Sequence, residues 1–331
     1  MMNSKKQFKI KFINKILDKR YKNQPDLKSV KKKLFLRQIE QISNDLKNKE
    51  IDINSLSSIE QTRWSRQLQN PLLNQKKIKD AKITVFGLGG IGTNVLMNLV
   101  YSGVSNFYII DYDKVELSNL NRQTLYTPKD IGKPKTESTQ EKLLEINPEI
   151  KIEKYNIELN YPKDLELLEI SSNEYPENVV RINSIISESD YVINAMDYKG
   201  APYLINDLCV KNRKSFYWGG INYFLGETYS YSPSKRTPCL RDIFASKDIF
   251  DTIPFLRYKT QNKGDKYGYS LGLVAIIIGS IMSNLIIFDI NDIDYGLHGC
   301  FLIYDAHNIE IIKVPIKKLN TCLCNKYKLN T

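Results

Sequence analysis

The sequence predicts an α/β fold whose sheet is doubly wound and mostly parallel. The first observation is a strand, helix and strand pattern between Lys82 and Asp111. It consists of an apolar run at 83–86, an amphipathic helical stretch at 91–101 and a second apolar run at 107–110. The second observation is that further short apolar strands follow, separated by helical or polar stretches. Together these observations predict a Rossmann-like sheet.

Four glycines join the first strand to the helix in the pattern G-x-G-G-x-G: Gly87, Gly89, Gly90 and Gly92. Glycine is needed where the backbone turns tightly, approaches a phosphate or lets a helix pack closely on a strand. The N-terminus of the helix then offers free N–H groups to an anion. Asp111, 19 residues after Gly92, takes the place of an acid that binds ribose hydroxyls. The pattern predicts a nucleotide site, with a tight turn that binds nothing as the alternative.

The remaining elements are predicted from apolar patterns and turn residues. In chain order we expect a strand at 150–157, a helix with loops at 158–185, a strand at 191–194, a helix at 201–212, a strand at 215–218, an antiparallel segment at 223–232, a long loop or crossover at 233–268, a buried helix at 271–288 and strands near 301–304 and 309–314. The C-terminal strands are therefore expected to be antiparallel.

The charge of the chain divides it into two regions. The net charge is +11, and residues 1–60 hold 15 Lys or Arg against 7 Asp or Glu. We expect residues 1–60 to form a small basic accessory region, with one helical piece before Pro25 and one after it. The alternative is a partly disordered arm. Residues 61–331 are expected to form the nucleotide-binding domain. The basic region favours an acidic partner, with a merely solvated lysine-rich surface as the alternative.

Composition also indicates the compartment. Five cysteines, an odd and sparse set, argue against a disulfide framework and for a reducing compartment. The N-terminus lacks the apolar core of a secretory peptide. The apolar run 271–288 is interrupted by glycine, serine and asparagine, so a core helix is expected there instead of a membrane span. We expect a cytoplasmic protein that partners neither nucleic acid nor a membrane.

Polar residues follow the strands whose carboxyl ends line the ligand crevice of such a sheet. The stretch 111–138 carries the donors Asn119, Asn121, Arg122 and Gln123, and then Lys135 directly after Pro134. Proline favours the first turn of a helix, where a lysine is unfavourable unless an anion such as an ATP phosphate shares the site. Asp197, at the tip of the predicted strand 191–194, can hold Mg²⁺ or simply cap the next helix.

As a set, these motifs resemble the ThiF/MoeB-like adenylyltransferases related to ubiquitin-activating enzymes. That family includes activators of sulfur-carrier proteins and the enzyme that matures the peptide antibiotic microcin C. The resemblance covers roughly residues 61–325. It rests on R-x-x-R-Q (63–67), G-x-G-G-x-G (87–92), D-x-D (111–113), S-N-L-N-R-Q (118–123), G-K-P-K (132–135) and Asp197.

The resemblance implies a role for each matching residue. Arg66 would reach into the active site of the partner in a homodimer. Asp111 and the D-x-D motif that ends at Asp113 would bind ATP at the ribose, while Asn119, Arg122 and Lys135 would hold the phosphates, and Asp197 would bind Mg²⁺. A C-terminal carboxylate would attack the α-phosphate and release pyrophosphate. Cations and a metal suit such a displacement, because the protein mainly positions groups and neutralises charge.

The chain departs from the family pattern in three ways. Asp197 is followed by Tyr198, with Pro202 in place of an arginine, as in the microcin-type enzymes. The two C-x-x-C zinc pairs are reduced to Cys239, with Asp242 in place of its partner, and to Cys322 and Cys324. Zn²⁺ could still bind to three sulfurs and a carboxylate, with free thiols as the alternative. Residues 240–299 contain no cysteine, which disfavours an enzyme thioester.

Three readings remain open at this level, and the first of them, adenylation, has two possible substrates. The preferred one is adenylation of the C-terminus of a precursor peptide in antibiotic biosynthesis, since the basic region 1–60 would serve as a peptide clamp. The alternative substrate is a small ubiquitin-like sulfur carrier of thiamine or molybdopterin synthesis. A nicotinamide-dependent oxidoreductase would explain the glycines and Asp111 but not the stretch 118–135. A non-enzymatic docking protein would not need Asp111, Arg122, Lys135 and Asp197 intact.

Overall fold

The structure is a computed structural model, and it describes residues 25–45, 56–159, 175–196, 201–243, 271–322 and 324. Two compact units make up the chain, residues 1–76 and residues 77–331. Whether residues 1–60 act as an accessory region remains a prediction.

The first unit contains helix α1 (Pro25–Asp45) and helix α2 (Ser58–Arg63). The predicted helical piece after Pro25 is therefore present, and the piece expected around Phe8 to Ile16 lies outside the described residues. A capping box starts α2, because the Ser57 hydroxyl accepts the amide of Glu60 and the Glu60 carboxylate accepts the amide of Ser57. The spacing of Arg63 and Arg66 in sequence would place both on one helical face if the helix continued through them. The helix ends at Arg63, and Arg66 follows in a series of turns.

A single sheet organises the second unit. The described strands are β1 (Lys82–Phe86), β2 (Asn106–Ile110), β3 (Lys151–Tyr155), β4 (Tyr191–Asn194), β5 (Ser215–Asn222), β6 (Leu225–Tyr231), β7 (Cys300–Asp305) and β8 (Glu310–Pro315). Their order is β3-β2-β1-β4-β5-β6-β7-β8. The first five run parallel, whereas β6, β7 and β8 are antiparallel to their neighbours. The predicted fold class, a Rossmann-like sheet with antiparallel C-terminal strands, is confirmed.

Helices accompany the sheet in the order α3 (Gln75–Asp80), α4 (Gly90–Ser102), α5 (Lys135–Ile146), α6 (Glu177–Glu188), α7 (Ala201–Lys211), α8 (Leu240–Ile243) and α9 (Gly272–Ile290). The strand β1 is central, and Ile83, Val85 and Phe86 are inaccessible to solvent. Apolar runs of this kind are typical of parallel strands covered on both faces. The chain order reverses between β1 and β4, so their carboxyl ends form the crevice in which such sheets bind ligands.

β5 is longer than predicted. The sequence places its end at Trp218, before two glycines, but the strand continues to Asn222. A Cβ on Gly219 would lie 2.5 Å from the sulfur of Met282, and a Cβ on Gly226 of β6 would lie 2.3 Å from Ile278. Both contacts belong to α9. The glycines therefore let α9 pack closely on the sheet and do not end the strand.

The helix α9 packs on α4 and on β5 and β6. Among the described residues, α9 is the one helix that is long and apolar enough to cross a membrane, judged by length and composition alone. Its contacts with the sheet are those of the buried core helix that the sequence predicts.

Candidate active site

The glycine-rich turn lies at the crevice between β1 and β4. Gly87 has φ of +88°, and a Cβ there would lie 2.8 Å from the backbone of Ala195, just after β4. A Cβ on Gly92 would lie 1.9 Å from the carbonyl oxygen of Gly87. Both positions therefore require glycine, the first for the left-handed turn and the second for the close packing of α4 on that turn.

The start of α4 is more open. Gly89 is its N-cap, and a Cβ there would meet nothing closer than the amide nitrogen of Gln123 at 3.8 Å. Gly90 is tighter, with the carbonyl oxygen of Arg122 at 3.3 Å. Gly89 has no side chain with which to cap the first N–H groups of α4. This end of the helix can therefore accept an anionic ligand.

Asp111, directly after β2, ties the glycine-rich turn to the loop that follows. One carboxylate oxygen accepts the amide of Leu88 at 2.6 Å, and the other accepts the amide of Asp113 at 2.8 Å. Burial raises the pKa of this carboxyl, while Lys135 and the two amide donors oppose the rise. Each oxygen keeps a lone pair for a further donor such as a hydroxyl.

Lys135 is the first residue of α5, as its position after Pro134 predicts. Its ammonium group lies 2.8 Å from the carboxylate of Asp113, and its backbone amide donates to the carbonyl of Asp113. The Lys135 side chain is 7 % exposed, whereas that of Asp113 is 46 % exposed. The anion predicted to accompany this lysine is thus supplied by the chain itself.

The turn at 118–123 is held mainly by its own side chains. The side-chain oxygen of Asn119 accepts the amide of Glu116, and the guanidinium of Arg122 donates to the carbonyl of Ser118 and to the side chain of Asn121. A Cβ on Gly272 would lie 2.5 Å from the carbonyl of Asn121. The turn therefore packs against the start of α9 as well as against the start of α4.

Gln123, one of the donors predicted from the sequence, and Tyr126, which the motifs do not single out, also lie near the glycine-rich turn. Gln123 is 3 % exposed, and among the described residues its amide oxygen has no partner. Tyr126 donates to the carbonyl of Leu88 at 2.9 Å and contacts the hydroxyl of Thr139. Nothing in the sequence indicates the role of Tyr126, because its partners come from two other segments.

Two predicted site residues cannot be placed at this crevice. Asp197 lies outside the described residues, which reach Met196 on this side. Arg66 belongs to the compact unit 1–76, and its role in catalysis stays a prediction.

A second cluster lies on another part of the molecule. Cys239, Asp242, Cys322 and Cys324 are all buried, and their possible ligand atoms lie within 4.8 Å of one another. The sulfur of Cys322 is 3.5 Å from that of Cys239 and 2.9 Å from that of Cys324. Contact with Cys322 raises the pKa of Cys239 to about 12. Three sulfurs and a carboxylate in this arrangement fit a tetrahedral Zn²⁺ site.

The sequence profile of the ThiF family matches residues 64–326. The chain belongs to the ThiF family. This match spans the glycine-rich turn, the turn at 118–123, Lys135 and the cysteine cluster, and it confirms the resemblance drawn from the motifs.

Curated relatives of this ThiF-family chain are named adenylyltransferases. A sulfur carrier protein adenylyltransferase of Thermus thermophilus is 28 % identical over 78 % of the chain and 89 % of the relative. The adenylyltransferase and sulfurtransferase MOCS3 of Drosophila virilis is 32 % identical over 84 % of the chain, and the chain spans 56 % of it. These names confirm the predicted enzyme class, an ATP-dependent adenylyltransferase. The chain spans little more than half of the MOCS3 relative.

Solved structures share the fold. E. coli MccB with ATP has a TM-score of 0.64, is 22 % identical and covers 92 % of this chain and 82 % of that one. PaaA has a TM-score of 0.66 at 20 % identity and covers 86 % and 92 %. At this level of identity the likeness concerns the fold alone.

Proposed function

We propose that this chain uses ATP to adenylate the C-terminal carboxylate of a small ubiquitin-like sulfur-carrier protein. The observation that carries the proposal is the match to the Thermus sulfur carrier protein adenylyltransferase, which extends over 89 % of that relative. The basic region 1–60 by itself favours a peptide substrate. The relatives favour its alternative, since the likeness to MccB is a likeness of fold.

In the proposed reaction, an oxygen of the carrier's terminal carboxylate attacks the α-phosphorus of ATP. The bond from that phosphorus to the bridging oxygen breaks, and pyrophosphate leaves with the electron pair. The work of the protein is to align the two groups and to neutralise charge. Arg122 and Lys135 supply the positive charge, and Asn119 supplies a further donor.

Asp111 and Asp113 supply the remaining polar contacts of the proposed nucleotide site. Asp111 would accept a ribose hydroxyl, because its position is fixed by the amides of Leu88 and Asp113. Asp113 would release Lys135 to the phosphates. Since Asp113 is the more exposed partner of that pair, an incoming phosphate can replace its carboxylate while the ammonium stays in place.

Asp197 would hold Mg²⁺, with the phosphates as the other ligands. A bound Mg²⁺ would supply further neutralisation of the charge that develops on the leaving pyrophosphate. β4, the strand before Asp197, ends at the same crevice as the glycine-rich turn, since Ala195 contacts Gly87.

The distribution of thiols supports a product that is released as a free acyl-adenylate. Cys209 is fully buried in α7, and burial raises the pKa of its thiol well above the ordinary range. Asp305, at the end of β7, pairs with Leu225, which in turn pairs with Asn222 at the carboxyl end of β5. Cys300 begins β7 and therefore lies at the opposite end of the strands, away from the carboxyl ends of the parallel strands. The other three cysteines lie in the buried cluster. An enzyme thioester needs an accessible thiolate at the activated carboxyl.

A homodimer is part of the proposal. The helix α9 is largely apolar, although Ser280 and Asn284 are among its exposed residues, and Leu273 near its start is 65 % exposed. A helix of this composition is normally covered on every face. A second copy that covers it is consistent with the role proposed for Arg66, which is to complete the active site of the partner.

We also propose that the cluster of Cys239, Asp242, Cys322 and Cys324 holds Zn²⁺ away from the reaction. Its ligands come from α8 and the residue directly before it, Cys239, and from the C-terminal segment. When bound, the metal would supply a structural link between these two segments.

The proposal is tested by isotope exchange between pyrophosphate and ATP, with Mg²⁺ and a purified sulfur-carrier protein. We expect exchange with the intact carrier and none with a carrier whose terminal carboxylate is amidated. Exchange supported by a short peptide but not by any carrier would contradict the proposed substrate. Tight NAD binding without ATP binding in calorimetry would contradict the enzyme class.

A peptide substrate remains the second candidate because of the basic region 1–60. Helix α1 exposes Lys32, Lys33 and Arg37. If this region binds an acidic peptide, replacing these three residues by glutamate should abolish peptide binding and leave ATP binding unchanged. Equal loss of both would indicate a structural role for the region.

A further inference from the structure

The C-terminal segment is attached to α8 through a carboxylate that stands where the family has a thiolate. Asp242 is 6 % exposed, and both of its side-chain oxygens accept a hydrogen bond from a backbone amide. Oδ2 accepts the amide of Cys239 at 2.7 Å, and Oδ1 accepts the amide of Leu319 at 2.8 Å. One carboxylate thus joins two segments that are 77 residues apart.

These bonds need no metal. A carboxylate offers four lone-pair positions and makes short, charge-assisted bonds to amides. A thiolate offers a single acceptor atom, and its hydrogen bonds to amides are longer and weaker than those of a carboxylate. In a site with four cysteines, the metal is the group that connects the segments, and its removal unfolds them.

The helix α8, which carries Asp242, is itself held on α7 by hydrogen bonds that need no metal. Arg241 makes two bonds of 2.7 Å to the carboxylate of Asp207, which lies on α7 with its side chain inaccessible to solvent. The amide of Leu240 donates to the side chain of Asn206 at 2.9 Å. The turn that carries Asp242 is therefore fixed to side chains of α7 by three hydrogen bonds, two from the Arg241 guanidinium and one from the Leu240 amide.

We propose that Asp242 keeps the C-terminal segment docked on α8 whether or not Zn²⁺ is bound. Zn²⁺ can then bind and leave this site without breaking the contact between Asp242 and Leu319. This inference concerns docking of the segment and does not depend on the substrate proposed above.

The test uses the full-length protein in reducing buffer, with and without a zinc chelator. The readouts are zinc content by mass spectrometry, Tm, and the rate at which carboxypeptidase removes residues through Cys322. For the unchanged protein we expect chelation to remove any zinc, to lower Tm by less than about 2 °C and to leave the digestion rate unchanged. Zinc added to metal-free protein should raise Tm by no more than about 2 °C.

Three variants separate the carboxylate from the metal. Asp242→Ala should lower Tm by at least about 4 °C and speed digestion, with or without zinc, because two amides lose a charged acceptor. The double variant Cys322→Ser/Cys324→Ser should lose zinc binding and keep its Tm within about 2 °C. Asp305→Ala is the matched control, since Asp305 also accepts two backbone amides, but on an exposed turn.

The opposite pattern would overturn the proposal. Chelation that lowers Tm and speeds digestion as much as Asp242→Ala would show that the metal holds the segment. If Asp242→Ala does not fold, the unchanged protein and the double cysteine variant still decide the question. In addition, Asp242→Cys should become chelator-sensitive, and a Tm independent of zinc in that variant would also contradict the inference.

Discussion

Lys135 sits at the first position of α5, where the partial positive charge of the helix opposes its own, and the carboxylate of Asp113 compensates it at 2.8 Å. The pair holds a nearly buried cation in place before any nucleotide arrives. Asp111 fixes the neighbouring backbone through two amides. At the scale of residues, the candidate site is thus pre-arranged by the chain, which is what charge neutralisation in phosphoryl chemistry requires.

Replacing Lys135 with alanine should lower kcat/KM for ATP by roughly 10²- to 10³-fold, the range for loss of one preorganised donor. Lys133→Ala is the matched control, because Lys133 is exposed and pairs with Glu141 at the surface. We expect the control to change kcat/KM by less than about twofold, since exposed ion pairs contribute little. Equal losses in both variants would contradict the role assigned to Lys135.

Glu227 of β6 gives a prediction about pH. Burial alone raises the pKa of its carboxyl above the ordinary glutamate value. Below the pKa that Glu227 has in the unfolded chain, the carboxyl is neutral in both states and its contribution to stability is most favourable. That contribution is lost as pH rises through the pKa of the folded state, because folding then buries a charged carboxylate. Relative to Glu227→Gln, the unchanged protein should therefore lose stability as pH rises from about 4.3.

Urea unfolding of the two proteins at several pH values measures this difference. Glu310→Gln, on the exposed strand β8, controls for the substitution itself. A stability difference that grows in favour of the unchanged protein as pH rises would show that Glu227 gains a partner on folding.

Local residue patterns were enough to predict the glycine-rich turn, Asp111 and the start of α5 at Lys135. The partner of Lys135 could not be predicted, because Asp113 lies 22 residues earlier in sequence. The contact between Tyr126 and Leu88 depends on packing in the same way. Asp242 was recognised as a substitute ligand, but its bond to the amide of Leu319 was not.

At the scale of elements, the glycines determine how α4 and α9 approach the sheet. Gly92 allows α4 to pack on the turn that carries Gly87, and Gly219 and Gly226 allow α9 to pack on β5 and β6. A glycine in a sequence can indicate either a turn or a position where another element packs closely, and the sequence alone does not distinguish the two. This is why the turn at Gly87 was predicted and the continuation of β5 to Asn222 was not.

Gly92→Ala should destabilise the protein by an amount near the top of the about 1–3 kcal/mol expected for overpacking, since its Cβ would meet a backbone oxygen at 1.9 Å. ATP binding should be lost with it, because the turn must move. Gly89→Ala has space for its Cβ and should keep the fold. Calorimetric unfolding compares them, and similar stabilities for the two variants would contradict this account of the turn.

At the scale of the whole molecule, the account requires two copies that share their active sites. If Arg66 serves the partner, mixing Arg66→Ala protein with Asp197→Ala protein should restore activity. Hybrid dimers contain one site with neither defect, so about a quarter of the sites should become active at full exchange of a two-fold dimer. Activity assays after subunit exchange measure this recovery. Exchange without recovery would contradict sharing.

The central claim is that the chain forms an acyl-adenylate on a carrier without an enzyme thioester. Intact-mass spectrometry of enzyme, ATP, Mg²⁺ and carrier, quenched under mildly acidic and non-reducing conditions, tests it most directly. We expect a carrier that gains the mass of an adenylyl group (AMP less one water), an enzyme of unchanged mass, and the same result when all five cysteines are replaced. An enzyme adduct that thiols release, and that disappears together with turnover when one cysteine is replaced, would contradict it.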